Sequence, residues 1–438
     1  MTLWDKGTAA EGWVTRFTVG DDPRWDTLLL PYDAEGTRAH AWALREIGLL
    51  TGEEEAAISG VLDEVQAEAR AGRLVVTVED EDAHTVIERV LTEKLGDIGK
   101  KIHAGRSRND QVLTALRLWL RDGLAAVSAE VAATAEALVE HAEAYDGLLM
   151  PGYTHTQRAM PTTAGLWAAG YAEILTDDLT GLAEARDRVN VSPWGSAAGY
   201  GVPHLDLPRD EVAQRLGFRG VQRHVTAVQL SRGKHEAAVV HALAQLGATA
   251  NRLAADVVLF ASAEFGFVRL PSAYITGSSI MPQKRNPDVA ELARGTYHRL
   301  VAELSLLLGL PANLPSGYHR DLQLTKEAVM RAVLVALDLF VALRHLVPGV
   351  AWDETKMRAA LSPDLFATAD ALRRVGEGMP FRDAYLAAAA DLGSLSVPAS
   401  TDALAAYVTP GTPGNVSADT LRARLDGARA RFMEDEER

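Results

Sequence analysis

The run Val112-Leu113-Thr114-Ala115-Leu116-Arg117-Leu118-Trp119-Leu120-Arg121-Asp122-Gly123-Leu124-Ala125-Ala126-Val127, continued without a proline to Tyr145, decides the fold. Leu113, Leu116, Leu120, Leu124, Val127, Val131 and Leu138 recur at spacings of three, four and seven. That pattern lays one apolar stripe along a helix of more than thirty residues. Comparable Ala- and Leu-rich runs cover 162–189, 234–264, 287–308 and 321–346. Two carry helix-start signals, Pro161-Thr162-Thr163 and Asn286-Pro287-Asp288. Helices this long rarely stand alone in a globule, so the pattern predicts an all-α (mainly) chain built on a central bundle of five long helices. Segments such as Val257-Val258-Leu259-Phe260 are apolar all round, which predicts burial on more than one side and hence self-association.

The flanks read differently from this centre. Residues 1–105 carry shorter helices, broken by Gly72 and the run Leu74-Val75-Val76-Thr77-Val78. After Val350, five prolines (363, 380, 398, 410 and 413) with Gly411 and Gly414 predict a small region of frequent turns. The expected division is an N-terminal helical domain over 1–105, the bundle over 106–350 and a small C-terminal helical domain over 351–438. The final stretch, Met433-Glu434-Asp435-Glu436-Glu437-Arg438, reads as a charged, frayed end.

Composition narrows the function. Forty-four Lys+Arg against fifty-nine Asp+Glu give a net charge of −15, which disfavours binding to a phosphate backbone. No cysteine occurs, so disulfides, thiolate nucleophiles and thiolate-bound metals are excluded. The start lacks a basic-then-apolar leader, and no run of about 18 uninterrupted apolar residues is present. A cytoplasmic protein with no nucleic-acid or membrane partner is expected. No HExxH, Cys/His zinc spacing or GxxxxGK[ST] loop occurs, and the glycine-rich 195–201 lacks a βαβ context. Neither a metal nor a cofactor is expected.

Three segments stand out from the Ala/Leu background. Gly99-Lys100-Lys101-Ile102-His103-Ala104-Gly105-Arg106-Ser107-Arg108-Asn109-Asp110-Gln111 places four basic residues before the longest helix, either as an anion pocket or as a solvated turn capped by Asn109 or Asp110. Met150 to Pro161 brackets Thr154, His155 and Gln157 with prolines, predicting a stiff turn between two helices. Thr276 to Asp288 joins Gly277 and Ser278 to Lys284 and Asn286 at a helix N-terminus, a combination suited to a carboxylate.

Together these segments resemble the signature regions of the aspartase/fumarase superfamily, and within it the argininosuccinate lyases. Gln283 in Met281-Pro282-Gln283-Lys284 carries the likeness to that branch, as do Gly105 to Gln111, Glu79-Asp80-Glu81-Asp82-Ala83-His84, and Tyr318 to Glu327. The resemblance implies a homotetramer with a twenty-helix core and active sites shared among three subunits. It implies reversible β-elimination of argininosuccinate, a small-molecule substrate, to arginine and fumarate in arginine biosynthesis.

By the same likeness Ser278 matches the serine that takes the Cβ proton. His155 matches a histidine assigned as acid, base or anchor, and Glu291 its charge partner. Lys284 and Asn286 match groups that hold the carboxylate and the aci-carboxylate intermediate. Ser107, Arg108, Asn109, Thr154, Tyr318, Gln323 and Lys326 match substrate contacts. Three stretches depart from the family pattern: Leu3-Trp4-Asp5-Lys6-Gly7, Asp22 where a serine is usual, and Ser231-Arg232-Gly233-Lys234. Two other readings stay open, a related lyase for another N-substituted aspartate and a catalytically silent structural bundle.

Overall fold

The computed structural model describes residues 11–433. The departure at 3–7 and the terminal residues 434–438 lie outside them. Among the described residues the N-terminal part holds α1 (Gly12–Val19), α2 (Asp22–Glu46), α3 (Gly52–Arg70) and α4 (Ala83–Leu95). Of these, α2, α3 and α4 close a core of their own around Leu30, Leu44, Ile58, Leu62, Ile87 and Leu91. At 25 residues α2 is longer than the sequence implied, because it continues through Pro31. The run Leu74–Val78 forms no strand; it is a loop that buries Val76.

Five long helices follow, as the periodicity predicts: α5 (Arg108–Ala144), α6 (Ala164–Val189), α7 (Lys234–Phe260), α8 (Asp288–Gly309) and α9 (Leu324–Leu346). The α5 stripe packs on α6 and α9, while α7 packs on α6, α8 and α9. Their shared core runs through Leu120, Leu124, Val131, Leu175, Leu182, Leu246, Leu253, Val333 and Phe340. Each such side chain, taken from water, contributes roughly 1.5–3 kcal/mol before conformational entropy is subtracted. The segment Arg320–Gly349 is long and apolar enough by composition to cross a membrane, and half of its apolar window is buried inside the protein. The C-terminal helix α10 (Ala418–Met433) returns to the bundle and lies against α5 and α6 through Leu421, Leu425 and Phe432.

Where the sequence predicts a turn between helices, the structure has a hairpin. Strands β1 (Leu149–Thr154) and β2 (Gln157–Thr163) pair antiparallel, joined by the two residues His155 and Thr156. Pro151 faces Pro161 across the pair. Prolines argue against strands in a wide sheet, but a two-stranded ribbon has only edges, where a missing N–H costs little.

Candidate active site

The first signature segment is where the N-terminal helices meet the bundle. Ser107 is the N-cap of α5: its hydroxyl accepts from the Asn109 amide at 3.3 Å, and its own amide donates to Asp110 Oδ1 at 3.1 Å. The cap is therefore Ser107, with Asp110 as its reciprocal partner, and neither Asn109 nor Asp110 is the capping residue. Asp110 Oδ2 also accepts the amides of Gly195 and Ala197. The glycine-rich segment is thus a loop that closes over the start of α5. Arg106 is not solvated. Its guanidinium is buried 3.7 Å from Asp33 and donates to Thr37 Oγ1 at 2.9 Å.

Next to this cap lies a cavity of about 400 Å³. Six of the residues named from the sequence line it: Ser107, Arg108, Asn109, Tyr318, Gln323 and Lys326. They come from two stretches more than two hundred positions apart, which the packing of α5 against α9 brings together. Lys326 reaches in from the first turn of α9 and is buried. Its Nζ donates to Asp26 Oδ2 at 2.9 Å and lies 3.1 Å from Asp22 Oδ1. Burial pushes the Asp26 carboxyl up to about 7 and also raises Asp22, while Lys326 pulls both back. Burial opposes the lysine charge too, but the two carboxylates outweigh it and hold its pKa above the ordinary value. Gln323 Nε2 donates to the Thr18 carbonyl at 3.0 Å.

Several cavity residues escaped sequence reasoning. Asp26 and Asp33 share the inner face of α2 with Asp22. The available signal was the spacing of four and seven that sets three carboxylates on one otherwise apolar stripe. Arg232, in the segment that departs from the family pattern, was not singled out as a ligand group. It is 5% exposed, packs 5.1 Å from the Tyr318 ring centroid, and leaves Nε and Nη1 without hydrogen-bond partners among the described residues. A buried guanidinium with free donors beside a cavity is a carboxylate site in waiting.

The other six named residues do not line this cavity. Thr154 and His155 stand exposed at the hairpin tip, where His155 and Thr156 have φ of 52° and 60°. A two-residue turn with both centres left-handed normally takes Asn-Gly, so a β-branched residue here is strained. The loop 277–285 is pinched at its neck by paired backbone bonds between Thr276 and Asn286, and Asp288 accepts the Thr276 amide at 3.0 Å. Within it, Ser278 Oγ accepts from the amides of Ile280 at 3.3 Å and Met281 at 3.1 Å. Lys284 is exposed on the loop and Glu291 is exposed in the first turn of α8, with no ion pair to Glu291 among the described residues. Within one chain the structure brings His155 and Glu291 into no contact.

The long-helix bundle and these loops define a lyase of the fumarase type. Residues 19–301 match the family described as "Lyase". The chain belongs to the argininosuccinate lyase family. It is 46% identical over 426 residues to the argininosuccinate lyase of Sorangium cellulosum (strain So ce56), covering 97% of this chain and 99% of that one. It is 44% identical over 430 residues to that of Stenotrophomonas maltophilia (strain R551-3), covering 96% and 98%. Among solved structures, an EDDS lyase in complex with formate superposes with a TM-score of 0.75 at 25% identity, over 98% of this chain and 92% of that one.

Proposed function

We propose that this chain is a carbon–nitrogen lyase that splits argininosuccinate into arginine and fumarate, in the cytoplasm, and that it works as a homotetramer whose sites draw on three chains. One observation carries the shared site. Helix α5 has 37 residues, which at about 1.5 Å per residue separates its two ends by roughly 55 Å. Ser107, Arg108 and Asn109 stand at its start, and the hairpin bearing Thr154 and His155 follows its end. The 22-residue α8 likewise separates the Ser278 loop from Tyr318 by roughly 33 Å. A ligand held in the cavity of one chain is therefore out of reach of that chain's own His155 and Ser278, and other copies must supply them. Exposed apolar side chains along the bundle, Ile174, Leu259, Leu292, Val301, Leu306 and Leu308, support such packing.

The chemistry follows from the groups. The cavity takes the amino-acid end of the substrate, with Arg232 and Lys326 toward its carboxylate and Asp22 toward its ammonium. Ser278 takes the Cβ proton of the succinyl part, and the negative charge that develops on the adjacent carboxylate is held by Lys284 and Asn286. A serine is a weak base unless its alkoxide is stabilised. The two amides that already point at Ser278 Oγ supply that stabilisation. His155, positioned by its strained turn and paired with Glu291 of another copy, anchors the substrate. The aci-carboxylate then collapses to the carbon–carbon double bond of fumarate as the C–N bond breaks, and the guanidino nitrogen leaves with its electron pair and takes up one proton to become arginine.

The test is fumarate release, followed by ultraviolet absorbance, from argininosuccinate, with adenylosuccinate, aspartate and malate in parallel. Release from argininosuccinate alone is expected; release from one of the others, or from none, would overturn the substrate assignment. The shared site is tested by mixing two inactive variants, His155→Asn and Arg108→Gln, after partial dissociation. Regained activity is expected, because mixed tetramers assemble some sites free of both changes. A mixture as inactive as its components would overturn the sharing.

A further inference from the structure

The wall of the cavity holds a second cluster that the elimination does not use. His84 and Glu88 lie four apart on α4, and His103 approaches them from the short turn Lys101–His103. Glu88 Oε2 is 3.5 Å from His84 Nε2 and 4.0 Å from His103 Nδ1. The three ligand atoms all fall within 4.8 Å of one another. The side chain of His84 is 6% exposed and that of Glu88 is 10% exposed. None of the three atoms has a hydrogen-bond partner among the described residues. Buried polar groups left unpaired are costly, and three of them aimed at one point call for a shared partner.

We propose that His84, Glu88 and His103 bind one divalent transition-metal ion of the zinc or cobalt class. Two imidazoles and a carboxylate are a donor set that zinc takes when a fourth position stays open. Both histidines line the cavity, so that open position faces it. With metal–ligand bonds of about 2.0–2.1 Å, tetrahedral ligand atoms stand roughly 3.4 Å apart. The pair His84–Glu88 is already at that spacing, while His103 stands 4.0 Å from Glu88 and must move closer to complete the set. Burial holds both histidines below the ordinary imidazole range, so they are neutral and offer a lone pair.

The surrounding charges allow a cation. Arg106 and Arg108 act on all three groups of the cluster, but Arg106 also faces Asp33 and Asp110, and Arg108 faces Glu81 and Asp82 at 3.2 and 3.1 Å. The guanidiniums are thus partly answered by other carboxylates; burial raises the Glu88 carboxyl and Arg106 and Arg108 lower it, so an ion at the cluster competes with them for that carboxylate. The cluster follows neither the HExxH nor the Cys/His zinc spacing: its order is His-x-x-x-Glu, with the third ligand fifteen residues further on.

The experiment is a cobalt(II) titration of the full-length assembled protein at neutral pH, read by visible absorption. Four-coordinate cobalt absorbs far more strongly than the aqueous ion, so binding at the cluster and loose surface binding are distinct. One equivalent per chain is expected, displaced by zinc. Glu88→Gln and His103→Ala are each expected to weaken binding by more than the roughly 10–100-fold that losing an outer-shell partner costs. His103 is partly exposed, so its variant decides the matter if Glu88→Gln fails to fold. Absence of the band, or a band unchanged in His103→Ala, would overturn the site, and neither result depends on whether the chain releases fumarate.

Discussion

Replacing Lys326 by methionine tests the electrostatics of the cavity floor. The lysine is buried between Asp26 at 2.9 Å and Asp22 at 3.1 Å, and methionine keeps most of its length while removing the charge. Breaking a buried pair by deleting one partner costs about 3–5 kcal/mol where the remaining charge persists, and protonation of the orphaned carboxyl limits that cost at lower pH. The pH dependence then separates this account from a simple packing loss. In the parent, Asp26 titrates at about 7 in the folded chain against an ordinary 3.8. Its proton therefore stabilises the fold fully below 3.8, and that stabilisation is lost as pH rises through 7. Above 7 the parent's Asp26 contribution is flat. Without the lysine the Asp26 value moves higher still, since Lys326 was lowering it. The variant therefore keeps losing stability above about pH 7, at about 1.4 kcal/mol per pH unit, while the parent does not. Urea unfolding followed by circular dichroism, at one protein concentration and between about pH 6 and 9, reads both curves. Curves that stay parallel across that range would refute the coupling.

Three further outcomes are expected. Ser278→Ala should cut kcat by at least the ~10²–10⁴ that a positioned base supplies, while calorimetry still shows substrate binding; normal turnover would remove Ser278 from the mechanism. Arg232→Gln should raise KM about 10–150-fold with kcat nearly kept, the loss of a charge-assisted hydrogen bond worth roughly 1.5–3 kcal/mol; an unchanged KM would place the substrate carboxylate elsewhere. Gly99→Ala should destabilise the protein by about 1–3 kcal/mol, because the new Cβ would stand 2.4 Å from the Leu91 carbonyl oxygen of α4, which has no rotamer to yield. An unaltered urea midpoint would contradict that close contact.

Much of the scaffold was legible in the sequence because apolar spacing maps directly onto helix faces. The α5 stripe and its four companions appear where the periodicity put them, with ends within a few residues. The hairpin was not legible, since Pro151 and Pro161 signal loops and only the pairing of two edge strands tolerates them. The candidate site was half legible. Lys326, Tyr318 and Ser107 could be named because they sit in distinctive motifs, yet their meeting depends on how α9 packs against α5, which no local pattern encodes. Asp26 and Arg232 were missed for the opposite reason. Neither the spacing along α2 nor the altered 231–234 stretch marks a ligand group by itself, and burial, a tertiary property, is what gives each its chemical weight.

The placement of Lys326 has a consequence for how such an enzyme can change. Its helix, α9, is packed on nearly every side through Val329, Met330, Val333, Ala336 and Phe340. The lysine therefore has little freedom to move, and substitutions around it would disturb the whole bundle. Arg232 and Tyr318, by contrast, ride on connecting segments, and Asp22 sits at the first turn of its helix. Variation in this lineage is thus channelled: the cation stays fixed, and new ligand preferences must arise from the movable edges around it.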